Sequence, residues 1–313
     1  MDLFQYARIE PYPCTDFEDE NFEIEVKKRA YAIWEGKVVN GDPNADDQIA
    51  NYYQALVQYR RDLSPETIIA DRVPTPVDHF HIDLANPLQG GTFSVFNATH
   101  RFAPIALVAK VYPGLYNQER RNYAIAEINS NFRTRQYDWM PLCQFRSWSY
   151  DSDRCLLWLF FKRIDGQVLC RDIAIDFDFD QRTLWLKTLI FALASSHICG
   201  VFHQDISDLG TEGNVNVMID NDRQLFLIDF NDANIPNTDE EAISNFGRDR
   251  EGLNNFIDDH LFVNDVPPEI ISLINNQNPL TLNECKQCLW NILKNDGYKF
   301  PHGVGGLLQI LNN

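Results

Sequence analysis

The chain has 313 residues, of which 44% are hydrophobic and 12% are aromatic, and its formal net charge is −18 at pH 7. This length and composition suffice to bury the core of one large domain or of two lobes. The acidic balance argues against nucleic acid as a principal partner, because a phosphate backbone requires a basic surface.

The absence of an apolar run of about 18 residues argues against a membrane-spanning helix, and the N-terminus lacks the basic start and apolar block of a signal peptide. We therefore expect a cytoplasmic protein without a membrane partner. The seven cysteines are scattered and odd in number, which is typical of free thiols in a reducing compartment. Cys285 and Cys288 have CxxC spacing within a predicted helix, and with no second pair or histidine beside them helix packing is favoured over a metal or redox role.

Residues 1–80 are predicted to form an N-terminal extension. An acidic arm covers about the first 25 residues, and the spacing of apolar residues predicts helices over Glu23–Trp34 and Asp46–Arg60. Prolines at positions 65, 74 and 76 then indicate a linker.

Apolar runs over residues 88–98 and 105–112 predict a β-hairpin. Gly90 and Gly91 lie near the start of the first run, just before its apolar part, where the missing Cβ atoms would let the backbone approach a phosphate closely. A tight turn without any ligand explains the two glycines equally well.

Lys110 lies inside the second of these strands, and burying a lysine is costly unless its ammonium group meets an anion. The alternative is an edge-strand lysine whose ammonium reaches solvent. The helix predicted over Gln118–Ile128 supplies Glu119 and Glu127, either of which could pair with Lys110.

The remaining elements are predicted from apolar patterns in the same way. Strands are predicted over Met140–Phe145 and Arg154–Phe161, separated by a polar loop and followed by a turn over Lys162–Gly166. The helices are predicted over Leu184–His197, Arg250–Phe262, Pro268–Asn275 and Thr281–Lys294.

The most informative stretch runs from His197 to Phe230. It turns at Gly200, presents Asp205, places Asn216 before a short apolar run, and ends with a second apolar run that precedes Asp229. Two acids and an amide at the edges of short strands are typical of sites that hold Mg²⁺ and a phosphate donor.

The order of these elements resembles the protein-kinase-like fold over residues 85–262. The most specific part is His197-x-x-Gly200-Val201-x-His203-x-Asp205, followed by Asn216 and Asp229 at a separation of 13 residues. The resemblance implies an α+β, bilobal protein-kinase-like fold with a β-rich N-lobe over residues 81–165 and a mainly helical C-lobe over residues 166–313.

The resemblance also implies roles for individual residues. Asp205 would be the catalytic aspartate, Asn216 and Asp229 would hold Mg²⁺, and Lys110 would contact the α- and β-phosphates of ATP. Glu119 is the preferred partner of Lys110, with Glu127 as the alternative at a spacing closer to that of protein kinases. The backbone of residues 160–163, including Phe161 and Arg163, would meet the adenine.

Several positions depart from the kinase pattern. Gln204 replaces the regulatory arginine, Ser207 replaces a lysine, and Asn231 replaces the glycine of the DFG motif. Asp205 and Asn216 are 11 residues apart instead of five, which places a six-residue insertion at Asp208–Gly213. The short segment after Asp229 resembles aminoglycoside- and choline-kinase-like phosphotransferases and fungal kinase-like proteins.

We therefore expect an atypical ATP- and Mg²⁺-dependent phosphotransferase that acts on a hydroxyl group of a protein or small molecule. The alternative is a pseudokinase-like, nucleotide-binding scaffold that acts through protein–protein interaction. The acceptor is not identified by any motif. Acidic clusters such as Asp16–Glu20 and Asp176–Asp180 are typical of a solvated face, and the alternative is that they attract a basic acceptor.

Overall fold

The computed structural model shows an α+β protein. It describes residues 20–48, 50–52, 54–55, 58, 77–88, 93–103, 105–113, 118–134, 140–151, 156–207, 215–262 and 268–300. The chain divides into two compact units, residues 1–125 with 146–163 and residues 126–145 with 164–313.

The first described element is helix α1, Glu20–Val39, which confirms the predicted N-terminal helix and extends it at both ends. Gly41 follows in the left-handed region (φ 67°), where a glycine is tolerated without strain. Of the second predicted helix, residues 48, 50–52, 54–55 and 58 are helical. Lys37 Nζ donates a hydrogen bond to Asn51 Oδ1 at 2.7 Å, which joins the two segments. The predicted acidic arm lies mostly outside the described residues.

The first unit is built around a five-stranded sheet with the order β1-β2-β3-β5-β4. The strands are β1 Phe80–Leu88, β2 Val95–His100, β3 Ala106–Pro113, β4 Phe145–Asp151 and β5 Leu156–Lys162. The pairs β1–β2, β2–β3 and β3–β5 are antiparallel. One face is closed by an aromatic core in which the rings of Phe80 and Phe160 stack at 3.6 Å. The predicted hairpin is confirmed, whereas β1 has only a weak alternation that Pro87 interrupts, and it was not predicted.

The prediction of a strand over Met140–Phe145 is wrong. Residues 140–144 are irregular, and strand β4 begins at Phe145 and runs through the segment predicted to be a polar loop. Met140 and Leu142 are apolar because they belong to the core of the second unit, where Leu142 pairs with Leu227. The buried Trp148 gives β4 the aromatic side chain that strands favour.

The second unit combines a three-stranded sheet with helices. Its sheet has the order β6-β7-β8, with β6 Gly166–Val168, β7 Val217–Asp220 and β8 Leu225–Leu227. Helix α2, Gln118–Thr134, begins in the first unit and ends in the second. The further α-helices of the described residues are α3 Arg171–Ala174, α4 Phe179–Ile198, α5 Asp239–Phe256, α6 Pro268–Asn275 and α7 Leu282–Asn295. The two short strands predicted on either side of the turn near Asp220 are confirmed.

Two of these helices begin earlier than their apolar patterns predicted, because polar caps start them. Asp178 accepts a hydrogen bond from the Gln181 N–H and starts α4 five residues before Leu184. Thr238 accepts from the Glu241 N–H and starts α5 at Asp239, eleven residues before the predicted start. A capping side chain followed by an acidic first turn stabilises the unpaired N–H groups of a helix.

The CxxC pair lies on α7, whose N-cap is Thr281. Cys285 and Cys288 are both buried in the core of the second unit. Burial raises the pKa of each thiol to about 11. Both side chains are therefore protonated near neutral pH and pack as small apolar groups.

His260 is the basis of a prediction about stability. It lies in a π-helical turn, Ile257–Leu261, that continues α5, and it is 5% exposed. Neither ring nitrogen has a hydrogen-bond partner among the described residues. Burial lowers the pKa of His260 from 6.5, although Asp259 opposes the shift. Replacing it with leucine is expected to raise the free energy of unfolding by about 1–3 kcal/mol, because an unsatisfied buried polar group is removed.

The same substitution should change the pH dependence of stability. The unfolded chain binds a proton to His260 more readily than the folded one, so the wild type should lose stability as the pH falls below about 6.5. Urea unfolding at pH 7.5 and pH 5.5 measures this loss, which should be smaller in His260→Leu. The exposed His81 provides a matched control in His81→Leu. An equal pH dependence in wild type and His260→Leu would contradict the prediction.

Candidate functional site

The candidate site begins where α4 ends. Gly200 adopts a left-handed conformation (φ 74°), and the N–H groups of Gly200 and Val201 donate to the carbonyl groups of His197 and Ser196 at 2.8 and 3.0 Å. This is the Schellman arrangement, in which a glycine after the last turn closes the helix. It confirms the turn predicted at Gly200 and directs the chain into the segment that contains His203 and Asp205.

The backbone of this segment is held by Asp249 of α5. The Asp249 carboxylate accepts hydrogen bonds from the N–H groups of His203 and Gln204, at 2.9 and 2.6 Å. It also contacts His197 Nε2 at 2.7 Å and Gln204 Nε2 at 3.2 Å. Asp249 is 2% exposed, so its charge is balanced by these donors and not by water. The sequence pattern did not identify this residue.

Helix α5 also packs closely against the segment at Gly252. A Cβ atom built on Gly252 would lie 3.3 Å from Ile206 Cβ and 3.6 Å from the Ile206 backbone nitrogen. A larger side chain at this position would push the segment away from the helix. The backbone around Asp205 is therefore fixed both by hydrogen bonds and by steric contact.

His203 connects Asp205 to the strand end that precedes Asp229. Its Nε2 lies 2.8 Å from the carbonyl oxygen of Ile228, and its Nδ1 lies 3.3 Å from the Asp205 nitrogen. A carbonyl only accepts and an amide N–H only donates, so His203 donates from Nε2 and accepts at Nδ1. Its ring also contacts Phe230 edge-on, with centroids 4.7 Å apart.

Asn216 lies beside Asp205 although 11 residues separate them in sequence. Its Nδ2 donates to the backbone oxygen of Asp205 at 2.6 Å and to Asp205 Oδ2 at 2.8 Å. A backbone hydrogen bond from Asn216 to Ile206 and a bridge between Ser207 and Val215 align the two segments. The predicted insertion, Asp208–Gly213, lies outside the described residues.

The residue before Asp229 is paired with Asn216, because the Ile228 N–H donates to the Asn216 carbonyl at 2.9 Å. This hydrogen bond places the backbone of Asp229 next to Asn216. Asp229 and Gln204 both have left-handed backbones, with φ of 60° and 70°. Such a conformation costs a residue other than glycine about 1–3 kcal/mol and persists only where the surroundings enforce it, which occurs most often at functional sites.

The donor set of Asn216 and Asp229 fits Mg²⁺. Asn216 directs its Nδ2 toward Asp205, so its Oδ1 points the other way. An amide oxygen and a carboxylate are the hard ligands that Mg²⁺ prefers. Asn216 and Asp229 together offer one amide oxygen and one carboxylate, and within the described ranges no group of three or more His, Cys, Asp or Glu side chains is placed to hold a metal.

In the first unit, Lys110 lies on β3, between β2 and β5. It is 5% exposed, so the alternative of an edge-strand lysine with a solvated ammonium is wrong. Its Nζ lies 5.5 Å from the ring centroid of Phe93 and 5.3 Å from that of Tyr112, where each ring face attracts the cation.

The two glutamates that could pair with Lys110 differ in burial. Glu119 is exposed and accepts a hydrogen bond from the Tyr123 hydroxyl at 3.4 Å, whereas Glu127 is 2% exposed. A buried carboxylate requires a compensating partner more than an exposed one does. The pairing of Lys110 with either glutamate stays a prediction.

The segment predicted to meet adenine forms the end of β5. The Arg163 N–H donates to the Ala106 carbonyl at 3.1 Å, and Phe161 lies opposite Val108. Because hydrogen-bonded pairs alternate along antiparallel strands, the backbone groups of Phe161 and Arg163 both face β3, and those of Lys162 face away from it. Strand β5 lies between β3 and β4, so the backbone groups of Lys162 face the β4 side of the sheet, and a contact of this segment with adenine stays a prediction. Gly90 and Gly91 lie outside the described residues.

The chain matches no protein-family model, and no curated protein matches it. In the part of the chain that the structure describes, no helix is long and apolar enough to cross a bilayer.

Proposed function

We propose that the protein is an atypical ATP- and Mg²⁺-dependent phosphotransferase with a bilobal protein-kinase-like fold. The observation that supports this most is the hydrogen bond from Asn216 Nδ2 to Asp205 Oδ2 at 2.8 Å. It joins the carboxylate proposed to act on the acceptor to the amide proposed to bind the metal, in spite of the insertion between them.

In this proposal, the acceptor is a hydroxyl group on a protein or small molecule. Its oxygen attacks the γ-phosphorus, the bond to the leaving ADP oxygen breaks, and the hydroxyl proton passes to Asp205. Asn216 fixes the orientation of the Asp205 carboxylate. Asn216 and Asp229 would hold Mg²⁺, which supplies charge stabilisation to the phosphates when bound.

The contacts of Gln204 support an enzyme that needs no phosphorylation of its own chain. Its Nε2 donates to the Asn245 carbonyl at 2.9 Å and to Asp249 at 3.2 Å. An arginine at this position in a regulated kinase senses a phosphorylated residue. Here the side chain is bound to α5 instead, and the segment that contains Asp205 is held by the buried carboxylate of Asp249.

Nucleotide binding provides the first test. ATP with Mg²⁺ should raise the melting temperature of the wild type, because a ligand at about 100 times its Kd stabilises the folded state by about 2.7 kcal/mol. Lys110→Met should remove most of this shift, since the proposed phosphate contact is lost while the apolar stem is kept. The exposed Lys299 gives a matched control in Lys299→Met, which should behave as the wild type does.

Turnover of radiolabelled ATP then separates the two functions. An active phosphotransferase releases ADP or transfers the label, and the wild type should do so only with a divalent cation. A melting shift without turnover would favour the pseudokinase-like scaffold. The absence of both the melting shift and ATP turnover would contradict the proposed function.

A further inference from the structure

One end of the five-stranded sheet exposes an aromatic side chain. Phe102 lies in the turn between β2 and β3, is 75% exposed and does not belong to the buried core of the sheet. Ile105, at the other side of the same turn, is 46% exposed. Single exposed apolar residues are common on protein surfaces, so the residues around Phe102 decide whether it has a role.

The ring of Phe102 is held by two histidines. It contacts the rings of His79 and His100 edge-on, with centroids 5.2 and 5.9 Å apart. The Phe102 N–H donates to His100 Nδ1 at 3.3 Å, and the Arg101 N–H donates to the His79 carbonyl at 2.8 Å. An aromatic side chain that is already held in this way loses little conformational entropy when a partner binds.

Two exposed cations lie at the same end of the sheet. Arg101 precedes Phe102, and Lys162 ends β5 opposite Leu107 of β3. Among the described residues, neither Arg101 nor Lys162 has an ion pair or a side-chain hydrogen bond. Strands β2 and β5 are separated by β3, which places them about 10 Å apart. A bound segment of a few residues can therefore contact both cations.

This end of the sheet is positively charged within an acidic chain. Arg163 follows Lys162 and is exposed as well, and Asp78 is the acid that adjoins His79 at the start of β1. The cations are therefore in excess here, although the chain as a whole has a net charge of −18. Because complementary potentials steer partners and fix their orientation, a negatively charged partner is directed to this end.

We propose that this end of the sheet binds an acidic peptide segment that carries a phenylalanine or leucine side chain. We call it the Phe102 surface, and it consists of His79, His100, Arg101, Phe102, Ile105 and Lys162. Acids of the bound segment would pair with Arg101 and Lys162, and its apolar side chain would pack against Phe102 and Ile105. Aromatic and arginine side chains contribute most to binding at protein interfaces. Binding at this surface needs neither nucleotide nor Mg²⁺, so it is independent of the proposed function.

Single-stranded nucleic acid is a less suitable occupant. It also combines negative charge with groups that stack on aromatic rings, but it requires a basic groove that follows its backbone. A few cations on a chain with a net charge of −18 do not provide such a groove. The exposed aliphatic side chain of Ile105 beside Phe102 favours an apolar side chain of a peptide.

Fluorescence anisotropy of a labelled peptide tests the inference on the full chain. The probe is a fluorescein-labelled peptide of six glutamates interrupted by one phenylalanine and one leucine. The wild type should bind it, and binding should weaken between about 50 mM and about 300 mM NaCl because salt screens exposed charges. Two control peptides, one with glutamine in place of glutamate and one with glycine in place of the two apolar residues, should bind about tenfold more weakly.

Variants of the chain then locate the bound peptide. Phe102→Ser should weaken binding by about tenfold or more, as expected for an aromatic residue at the centre of an interface. Arg101→Ala and Lys162→Ala should each weaken it by about threefold and reduce its salt dependence. The matched controls are Phe179→Ser and Lys299→Ala, at exposed residues of the second unit, and both should bind as the wild type does. All of these side chains are exposed, so the variants should fold, which circular dichroism checks.

Four results would overturn the inference. The first is no binding of the acidic peptide by the wild type, and the second is an equal loss of binding in Phe102→Ser and Phe179→Ser, which would place the peptide elsewhere. The third is tighter binding of a thymidine oligonucleotide that Phe102→Ser abolishes, which would assign the surface to nucleic acid. The fourth is concentration-dependent association of the chain that Phe102→Ser abolishes, which would assign the surface to a second copy. None of these results bears on ATP turnover, so the proposed function is tested separately.

Discussion

Replacing Asp249 with asparagine is expected to lower the free energy of unfolding by about 3–5 kcal/mol. The carboxylate of Asp249 accepts from the N–H groups of His203 and Gln204 and contacts His197 Nε2 at 2.7 Å. Asparagine has one acceptor oxygen and one donor nitrogen, so at least one of these donors would face an N–H group. A buried donor left without an acceptor loses its hydration without compensation.

Urea unfolding measures this effect through the midpoint at an unchanged slope. The matched control is Glu251→Gln, because Glu251 is an exposed acid on the same helix and its replacement should change stability by less than about 0.5 kcal/mol. Amide hydrogen exchange at His203 and Gln204 should also accelerate in Asp249→Asn. A loss below about 1 kcal/mol would show that other contacts hold this segment.

Local sequence signals predicted most of the elements that position the candidate site. The turn at Gly200 could be predicted because a glycine after an amphipathic helix is a local signal. The two strands around Asp220 could be predicted because apolar runs of three and four residues are bounded by polar residues. Both signals act within a few residues, so no tertiary contact was needed to recognise them.

Asp249 was missed because its partners are distant in sequence. It lies 46 residues from His203, and no periodicity connects them. A recognisable signal was nevertheless present. Thr238 and Glu241 form the S/T-x-x-E pattern of a helix start, and a helix that begins at Asp239 places Asp249 on the same buried face as Asn245 and Gly252. An acid on the buried face of a helix indicates a structural or functional partner.

The prediction of strand β4 failed because an apolar run was interpreted as a strand, although an apolar run need not be one. Met140 and Leu142 are apolar because they pack against the core of the second unit. A sequence pattern reports that a side chain is buried, but it does not report which core buries it. The polar residues of Phe145–Asp151 concealed a strand in which Phe145 and Trp148 are buried.

The insertion after Ser207 does not separate Asn216 from Asp205, although it adds six residues between them. Ser207 and Val215 are bridged, so the chain leaves and returns at neighbouring points. The positions of Asp205 and Asn216 then depend on that bridge and not on the number of residues between them. Spacing alone could not reveal this, because loop length and end-to-end distance are independent once the ends are paired.

Asp205→Asn is expected to lower turnover by about 10²- to 10⁴-fold, the range for removing a general base. Asparagine has nearly the same shape and can still accept from Asn216 Nδ2, which contacts Asp205 at 2.8 Å. It cannot take the acceptor proton, so the rate should fall while the melting shift with ATP and Mg²⁺ is retained.

Asp222→Asn, at an exposed acid of the turn between β7 and β8, is the matched control for the lost charge. If Asp205→Asn turns over ATP as fast as the wild type does, Asp205 has no part in the mechanism. If the variant loses both turnover and the melting shift, Asp205 acts in nucleotide binding. Because the backbone around Asp205 is held by Asp249 and Gly252, a change confined to its side chain should separate these outcomes without unfolding the site.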